Sequence, residues 1–402
     1  MIDPLTHNPQ RITHNSTLNY PIYLDHNATT PVDPRVLEAM LPYFTEHFGN
    51  AASRSHAYGW VADEAVDIAR EQVAMLIGAT KTEIVFTSGA TESINLALQG
   101  LFHTYGVKGR HFISAPTEHK AVIDTLKYLE TLGAEITWLN VDGKGRIDLA
   151  ELESALRPDT VAVALMYANN ETGLFHPVQQ IGSLCKRNDV IFFCDATQAV
   201  GKILVDVIDD GIDLLACSAH KIYGPKGVGA LYVRRRDPRV KLTAVQYGGG
   251  HEKGLRSGTL NVTGIVGLGK ACAIAQHEFQ VSEFQVSRKL RDRLQSAILE
   301  MPGTVLNTDP EHCLPHVTNI GFGGVEGTVF VTRLSKHVAI STGSACTSAT
   351  LEPSYVLKAM GLEDQLAGAS IRFSLGRNTT LDEIDEVIRV VREIYMDISR
   401  IR

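Results

Sequence analysis

The sequence lacks the features that mark several classes of protein. No run of about 18 uninterrupted apolar residues is present, so a membrane-spanning helix is not expected. The formal net charge is −7, which argues against a nucleic-acid-binding surface. No repeat or low-complexity stretch interrupts the 402 residues, of which 44% are hydrophobic. We therefore expect a folded protein with a large buried core.

The cysteines and histidines lack the spacing of a metal site. The six cysteines include no C-x-x-C pair, and in a chain of this length we interpret them as reduced thiols. His312 and His316 are four residues apart, but Pro315 between them disfavours a helical metal-binding face. Residues 1–19 have no apolar centre and a single arginine, unlike a secretory signal. We expect a cytoplasmic protein with no metal site, membrane contact or direct nucleic-acid partner.

The order of short apolar runs and helical patterns predicts an α/β fold. The runs are apolar enough to be buried on both faces of a mostly parallel, seven-stranded sheet between helices. Ligands of such sheets bind beyond the carboxyl ends of the strands. The seven predicted strands are Glu83–Thr87, His111–Ser114, Ile136–Leu139, Val161–Tyr167, Val190–Cys194, Leu214–Ser218 and Gly229–Arg234.

The pattern changes after Gly248–Gly250, and a smaller α/β domain is expected there. A long helical stretch over 263–300 leads into strands near Val317–Gly321 and Ile371–Ser374 and a final helix from Leu381 to about Arg400. The predicted division assigns residues 30–278 to a large domain, and residues 1–29 with 279–402 to a small one.

Lys221 stands at an unusual place for a lysine. It follows the buried apolar run Leu214–Cys217, and burying its charge without a partner would cost several kcal/mol. One interpretation is a side chain that extends to water at the sheet edge. The other is a lysine that forms a Schiff base and is kept partly neutral by burial.

Two other strand ends favour the second interpretation. Asp195 ends the strand over 190–194, and an acid there would keep the nitrogen of a pyridine ring protonated, although a helix N-cap is the alternative. Ser88–Glu92 follows another strand and opens a helix, which offers backbone N–H groups and the Thr91 hydroxyl to a phosphate, although small-residue turns are common. A lysine, an acid and a phosphate cradle together indicate pyridoxal phosphate.

From Tyr23 to Arg377 the sequence resembles the cysteine desulfurases of the iron–sulfur-cluster type (IscS/NifS-like), which are fold-type I pyridoxal-phosphate enzymes of aminotransferase class V. The motifs that carry the resemblance are Tyr23–Pro31, Thr87–Ser93, Thr117–Lys120, Asn169–Gly173, Asp195–Gln198, Ser218–Gly227, Arg256–Thr259, Ser344–Ser348 and Ser370–Ser374.

Besides Cys346, the resemblance implies a role for each of eleven residues. Lys221 would form the Schiff base, Asp195 would pair with the pyridine nitrogen, Gln198 would hydrogen-bond the phenolic oxygen, and His119 would stack on the ring and transfer protons. Asn170 would contact the cofactor and, with Arg372, bind the substrate carboxylate, although a structural ion pair is the alternative for Arg372. Thr259 would reach the phosphate of a neighbouring subunit, making a homodimer with composite active sites. Four residues would hold the phosphate: Ala90, Thr91, Ser218 and His220.

Cys346 would define the reaction. It lies in a small, hydroxylic segment over 341–350 that is typical of an exposed loop, whereas the other cysteines, except Cys313 beside Pro315, stand in apolar or helical surroundings. A free thiol has a pKa of about 8.5, so an attacking Cys346 needs a base or cation, for which His119 is the candidate. The implied reaction takes sulfur from L-cysteine, leaves L-alanine and a persulfide on Cys346, and passes sulfur to acceptor proteins such as an iron–sulfur scaffold.

Three other functions compete with this one. A selenocysteine lyase or a desulfurase with a short, ordered cysteine loop would share the cofactor, but the Ser344–Ser348 motif argues against both. An aminotransferase would have no use for a cysteine in a mobile loop. A binding scaffold for sulfur-relay partners would have no reason to keep Lys221, Asp195, His119 and Cys346 together.

Overall fold

The computed structural model describes residues 20–279, 283–342 and 353–400. Its strands are β1 Ile22–Tyr23, β2 Ile84–Thr87, β3 His111–Ser114, β4 Glu135–Trp138, β5 Thr160–Met166, β6 Ile191–Asp195, β7 Leu214–Ser218, β8 Gly229–Val233, β9 Thr304–Leu306, β10 Val317–Phe322, β11 Val338–Ala339 and β12 Ser370–Ser374. Its α-helices are α1 Pro34–Met40, α2 Pro42–Thr45, α3 Ala57–Leu76, α4 Ala90–Tyr105, α5 Lys120–Thr131, α6 Leu149–Ala155, α7 Val178–Arg187, α8 Val262–Phe279, α9 Glu283–Leu299, α10 Gly327–Leu334, α11 Tyr355–Ala359, α12 Asp364–Gly368 and α13 Leu381–Arg400.

The predicted seven-stranded, mostly parallel sheet is confirmed. Its strand order is β2-β8-β7-β6-β5-β3-β4, and β8 alone runs against its neighbours. The observed strands begin and end within one residue of the predicted ones. The six strands β2, β3, β4, β5, β6 and β7 therefore end at the same edge of the sheet.

The register of β8 brings two of these strand ends close together. Gly229, the first residue of β8, lies opposite both Thr87 at the end of β2 and Ser218 at the end of β7. The turn that opens α4 and the turn that carries Lys221 are therefore neighbours, although more than 120 residues separate them in the chain.

Both faces of this sheet are buried, which explains why its strands are apolar without alternation. Phe86 and Phe192 pack on the face that α3, α7 and α8 cover, whereas Val85 and Phe193 pack on the face that α4 and α5 cover. Among the described residues, no helix combines the length and the apolar character needed to cross a membrane.

A second, antiparallel sheet of three strands in the order β12-β10-β9 has its own core. Phe322, Phe330 and Tyr395 form an aromatic cluster in that core under α13. The short strands β1 and β11 pair in parallel beside it, and the sequence patterns did not predict them. The long helix predicted over 263–300 corresponds to α8 and α9, on either side of residues 280–282, which lie outside the described residues. The domain boundaries stay a prediction.

Candidate active site

A cavity of about 570 Å³ lies at the edge where the six parallel strands end. It brings together residues that are far apart in the sequence but were all predicted to act at one site. Thr259 is exposed and does not line it, and Cys346 lies outside the described residues. The predicted residues that line the cavity are Ala90, Thr91, His119, Asn170, Asp195, Gln198, Ser218, His220, Lys221 and Arg372.

Lys221 lies in a single 3₁₀ turn, Ala219–Lys221, directly after β7. Its Nζ donates hydrogen bonds to the main-chain oxygens of Asn27, at 2.6 Å, and Ala28, at 2.8 Å. The amine is thus held beside the cavity by the segment that follows β1, which favours the Schiff-base interpretation over a lysine that extends to water.

Asp195 is the last residue of β6, and its neighbours in the sheet are Met166 and Ala216. Only 5% of its surface is exposed. Its Oδ1 accepts the N–H of Thr197 at 3.0 Å, so the expected capping contact exists. Oδ2 has no protein partner within the described part of the chain and remains available to a ligand.

The start of α4 forms an anion cradle. Gly89 precedes the helix with φ 154° and ψ 179°, a conformation that side chains disfavour. A Cβ built on Gly89 would lie 3.7 Å from the Ser218 Oγ and would occupy the cradle. The Glu92 carboxylate, which would repel an anion, is bound by Arg256 at 2.7 Å and by the Ser88 N–H at 2.7 Å. The free N–H groups of this helix terminus suit a phosphate.

His119 and His220 are both held in the uncharged form at neutral pH. Burial lowers the pKa of His119, assisted by Lys221 and opposed by Asp195. Its Nδ1 caps α5 by accepting the Ala121 N–H at 3.1 Å, which leaves the proton of the neutral ring on Nε2. Burial, followed by nearby lysines, lowers the pKa of His220 to about 4. Both rings therefore act as hydrogen-bonding groups and not as cations.

Arg372 reaches the cavity from β12. Its two terminal nitrogens donate to Asp25 Oδ1 at 2.6 Å and to the Asn170 main-chain oxygen at 2.8 Å. The structural ion pair considered as an alternative is therefore present. The Arg372 Nε and the Asn170 Oδ1 are nevertheless buried without partners among the described residues. Since an unpaired buried polar atom costs about 1–3 kcal/mol, these two mark where a polar ligand would bind.

The sequence patterns did not identify Asn27 and Lys202 as parts of the site. Asn27 is 1% exposed, and its main-chain oxygen accepts hydrogen bonds from both Lys221 and Gln198 Nε2. Lys202 is buried and donates to Gln198 Oε1 at 2.6 Å. One signal was available, because a lysine four residues after Gln198 lies in an otherwise apolar run.

The five described cysteines are buried and none lines the cavity. Burial raises the pKa of Cys217 to about 12 and that of Cys194 and Cys272 well above the ordinary range. These three thiols remain protonated and unreactive. Within the described ranges, no group of three or more His, Cys, Asp or Glu side chains is arranged to hold a metal ion.

Comparisons with known proteins identify a family model, similar sequences and similar structures. The family model described as Aminotransferase class-V matches residues 22–387. The chain is 55% identical over 377 residues to "Cysteine desulfurase IscS" of Anaeromyxobacter dehalogenans (strain 2CP-C), covering 94% of this chain and 93% of that protein. It is 53% identical over 387 residues to the protein of the same name from Photorhabdus laumondii, covering 96% and 94%. A solved structure titled "NIFS-LIKE PROTEIN" superposes with a TM-score of 0.87 at 37% identity, covering 94% of this chain and all of that one.

Proposed function

The chain belongs to the aminotransferase class-V family and, within it, to the cysteine desulfurases, and we propose that its cavity binds pyridoxal phosphate and L-cysteine. The enzyme releases L-alanine and keeps the sulfur as a persulfide on Cys346. The observation that carries this proposal is the convergence of Lys221, Asp195 and the α4 cradle on one cavity.

The residues present fit pyridoxal phosphate. The α4 N-terminus, with Thr91, Ser218 and His220 around it, suits a phosphate, and Asp195 Oδ2 is available to a ring nitrogen. Thr197 Oγ1 is buried without a partner among the described residues, as expected beside an absent polar ligand. When bound, the cofactor supplies an electron sink next to the substrate α-carbon.

Lys221 provides the base for this chemistry. Its Nζ lies within hydrogen-bonding distance of two main-chain carbonyls, which orient the amine without neutralising it. With the cofactor bound, the Lys221 amine would accept the α-proton of the substrate, and the Asp195 side chain would pair with the ring nitrogen.

Arg372 and Asn170 orient the substrate. The unpaired Arg372 Nε–H donates to the substrate carboxylate, the Asn170 side chain contributes its amide N–H, and Asp25 fixes the far side of the guanidinium. Holding the carboxylate there fixes which bonds at the α-carbon face Lys221.

Cys346 accepts the sulfur. Its thiolate forms an S–S bond to the substrate sulfur as the substrate C–S bond breaks, and the electron pair stays on the substrate carbon, which takes up one proton to become the methyl group of alanine. With Nδ1 engaged by α5, the neutral His119 ring offers Nε2–H, which stabilises negative charge on a sulfur by donation. The sequence predicts His119 as the base or cation that activates Cys346, and we propose that it acts on the sulfur as a hydrogen-bond donor.

The enzyme acts as a homodimer in which Thr259 completes the active site of the partner. The segment before Thr259 is fixed to the cavity wall by the ion pair of Arg256 with Glu92, yet Thr259 itself is exposed and does not line the cavity of its own chain. Large apolar side chains at α2, at α3 and before Gly248 are also exposed and are available to a second copy: Phe44 (61%), Phe48 (64%), Trp60 (58%) and Tyr247 (78%).

A free Cys346 thiol needs a reducing compartment, which favours the cytoplasm. The persulfide passes to acceptor proteins, including an iron–sulfur scaffold, because a sulfur bound to sulfur is open to attack by an acceptor thiolate.

The decisive experiment measures sulfide and alanine after incubation with L-cysteine and a thiol. Wild type and Cys272→Ala, which removes a buried thiol away from the cavity, are expected to form both products. Cys346→Ala is expected to form neither, while keeping the yellow absorption of bound cofactor. Equal sulfide from wild type and Cys346→Ala would disprove the persulfide role. Formation of a keto acid in place of alanine would indicate an aminotransferase.

A further inference from the structure

A buried lysine lies directly behind the cavity wall, and none of the chemistry described above uses it. Lys202 is 8% exposed, and its Nζ donates to Gln198 Oε1 at 2.6 Å and to Asn27 Oδ1 at 3.3 Å. Both partners are neutral oxygens. No carboxylate among the described residues lies within ion-pairing distance of this amine.

The backbone between Asp195 and Lys202 is shaped to make this contact. The Val200 N–H bonds to the Ala196 oxygen, and the Lys202 N–H bonds to the Ala199 oxygen, so the segment makes two consecutive turns. These turns bring the Lys202 Nζ within 2.6 Å of the Gln198 Oε1. Gly201 permits the turn with φ 73°, and a Cβ there would lie 2.6 Å from the Ile222 Cγ2.

The Gln198 amide has one orientation that satisfies all of its neighbours. The Asn27 main-chain oxygen can only accept a hydrogen bond, so Nε2 of Gln198 faces Asn27 and Oε1 faces the Lys202 amine, which donates to it. The Gln198 Nε2 then donates one hydrogen to the Asn27 main-chain oxygen at 3.0 Å. Its second hydrogen remains for a ligand in the cavity that Gln198 lines.

Asn27 links the same amine to Lys221. The Asn27 side-chain oxygen accepts hydrogen bonds from Lys202 Nζ and His316 Nε2. The Asn27 main-chain oxygen accepts hydrogen bonds from Gln198 Nε2 and Lys221 Nζ. Lys202 thus anchors two of the groups that meet at the lysine of the active site.

We propose that Lys202 is a positioning residue that fixes the Gln198 amide with its N–H towards the cofactor. The inference rests on the proposed function, because it needs pyridoxal phosphate to present an acceptor oxygen to Gln198. A glutamine turned the other way would place its oxygen against the phenolic oxygen of the cofactor and repel it.

Burial explains how the Lys202 amine can hold Gln198 without an ion-pair partner. Burial, followed by the positive charges of Lys221 and Arg372, lowers the pKa of Lys202 well below its ordinary value. His26, His220 and His316 are the other titratable groups whose charge is coupled to it, and burial lowers the pKa of all three. Burial thus disfavours the charged form of the Lys202 amine, and even an uncharged amine keeps two N–H donors for its two oxygen partners.

The test is a double-mutant cycle on the cofactor and not on turnover alone. The variants are Lys202→Met, which keeps the length and removes the donor, Gln198→Ala, and the two combined. Lys202→Gln retains an N–H donor, and Lys186→Met removes an exposed lysine as the matched control. For each protein we would measure the dissociation constant of pyridoxal phosphate from the apo form, the pH midpoint of the visible absorption of the loaded form, and the melting temperature of the apo form.

Lys202→Met is expected to weaken pyridoxal phosphate binding about tenfold and to shift the pH midpoint. In the Gln198→Ala background the same change is expected to alter binding less than twofold, because its effect acts through Gln198. Lys202→Gln should recover most of the affinity, and Lys186→Met should match the wild type.

Equal effects of Lys202→Met in both backgrounds, or a lowered melting temperature with an unchanged pH midpoint, would show a packing role and overturn the inference. A wild type that develops no visible absorption with pyridoxal phosphate would instead refute the proposed function. If the wild type binds pyridoxal phosphate and Lys202→Met binds it with the same affinity and pH midpoint, this inference alone is overturned.

Discussion

The two sheets of the molecule contribute to the cavity in different ways. The seven-stranded sheet supplies five strand ends, each followed by a turn that carries a polar group, and its side chains are fixed by main-chain atoms close by. Lys221, Asp195 and His119 are examples, bonded to Asn27, Thr197 and Ala121. The three-stranded sheet supplies Arg372 from the middle of β12, paired across to Asp25 and Asn170.

This difference separates cofactor chemistry from substrate recognition. Every group proposed for the cofactor belongs to the seven-stranded sheet or its turns, although Lys221 and Gln198 also donate to the Asn27 main-chain oxygen in the segment after β1. The groups for the substrate carboxylate depend on how the second sheet meets the first. Cys346 also belongs to the chain between β11 and β12, although its own placement lies outside the described residues. We call the seven-stranded sheet with its turns the first side, and the three-stranded sheet with β1 and β11 the second side. Substitutions on the first side should change cofactor binding, whereas those on the second side should leave cofactor binding unchanged.

The largest expected effect comes from Lys221→Ala, on the seven-stranded side. Removing the amine abolishes both the covalent hold on the cofactor and the base for the α-proton. We expect a loss of about 10⁴-fold in kcat, with the visible absorption of the loaded enzyme lost as well. Alanine formation and absorption spectra measure both effects. Lys186→Ala, at an exposed site on α7, is the control, and retained absorption in Lys221→Ala would contradict the assignment.

Asp195→Asn should have the next largest effect. The amide keeps the size of the side chain and can still accept the Thr197 N–H, but it removes the negative charge beside the ring nitrogen. We expect kcat to fall about 10²- to 10³-fold, with the KM for L-cysteine within about threefold of wild type. The exposed Asp189→Asn serves as the control. An increase in KM without a decrease in kcat would show that Asp195 acts on the substrate, and would contradict its assignment to the cofactor groups.

Much of the seven-stranded side could be predicted from the sequence. Strands buried on both faces appear as continuous apolar runs, so a polar residue directly after such a run is conspicuous, as Asp195 and Lys221 are. Because parallel strands end at one edge, their shared location followed from the topology. The prediction that these residues meet at one cavity agrees with the structure, while their chemical roles stay predictions.

The second side was less accessible to sequence reasoning. β1 and β11 have two residues each and form only by pairing with one another, so no local pattern indicates them. The Asn27 contacts depend on residues more than 140 positions away, such as Asn170 and Lys221. Lys202 was missed because its role arises from burial and from two neutral oxygens, which no spacing rule describes.

Arg372→Lys should separate the two sides. In Arg372 the two terminal nitrogens hold Asp25 and Asn170, and Nε remains for a ligand. A lysine keeps the positive charge but cannot make these three contacts at once. Loss of a charge-assisted hydrogen bond of about 2 kcal/mol corresponds to a roughly 30-fold higher KM for L-cysteine. The affinity for pyridoxal phosphate should remain as in wild type, and the exposed Arg389→Lys should change neither value. Weakened cofactor binding in Arg372→Lys would show that the two sides are not independent.

The smallest effect concerns the seam between the sheets, where the loop after β5 meets residues 312–317. Leu174 pairs with Cys313 there, and the next N–H, of Phe175, bonds to the His312 oxygen. His176 follows, only 3% exposed, and burial alone lowers its pKa to about 4. Its neutral form is therefore favoured in the folded state, whereas in the unfolded chain it titrates near its ordinary value of about 6.5.

Acidification should therefore weaken this seam. The contribution of His176 to stability is fully present above about pH 6.5 and is lost as the pH falls towards about 4, because the unfolded chain takes up the proton first. Between pH 7.5 and 5.5 we expect this residue to account for a decrease of about 1.4 kcal/mol in the free energy of unfolding. Urea titrations at the two pH values measure it, with His176→Phe expected to lose correspondingly less than wild type or the exposed His103→Phe. If His176→Phe loses as much unfolding free energy as wild type, the acid-sensitive contact lies elsewhere. The buried His316 then becomes the group to replace, because burial lowers its pKa as well. His316 also bonds Asn27, the residue whose main-chain oxygen holds Lys221.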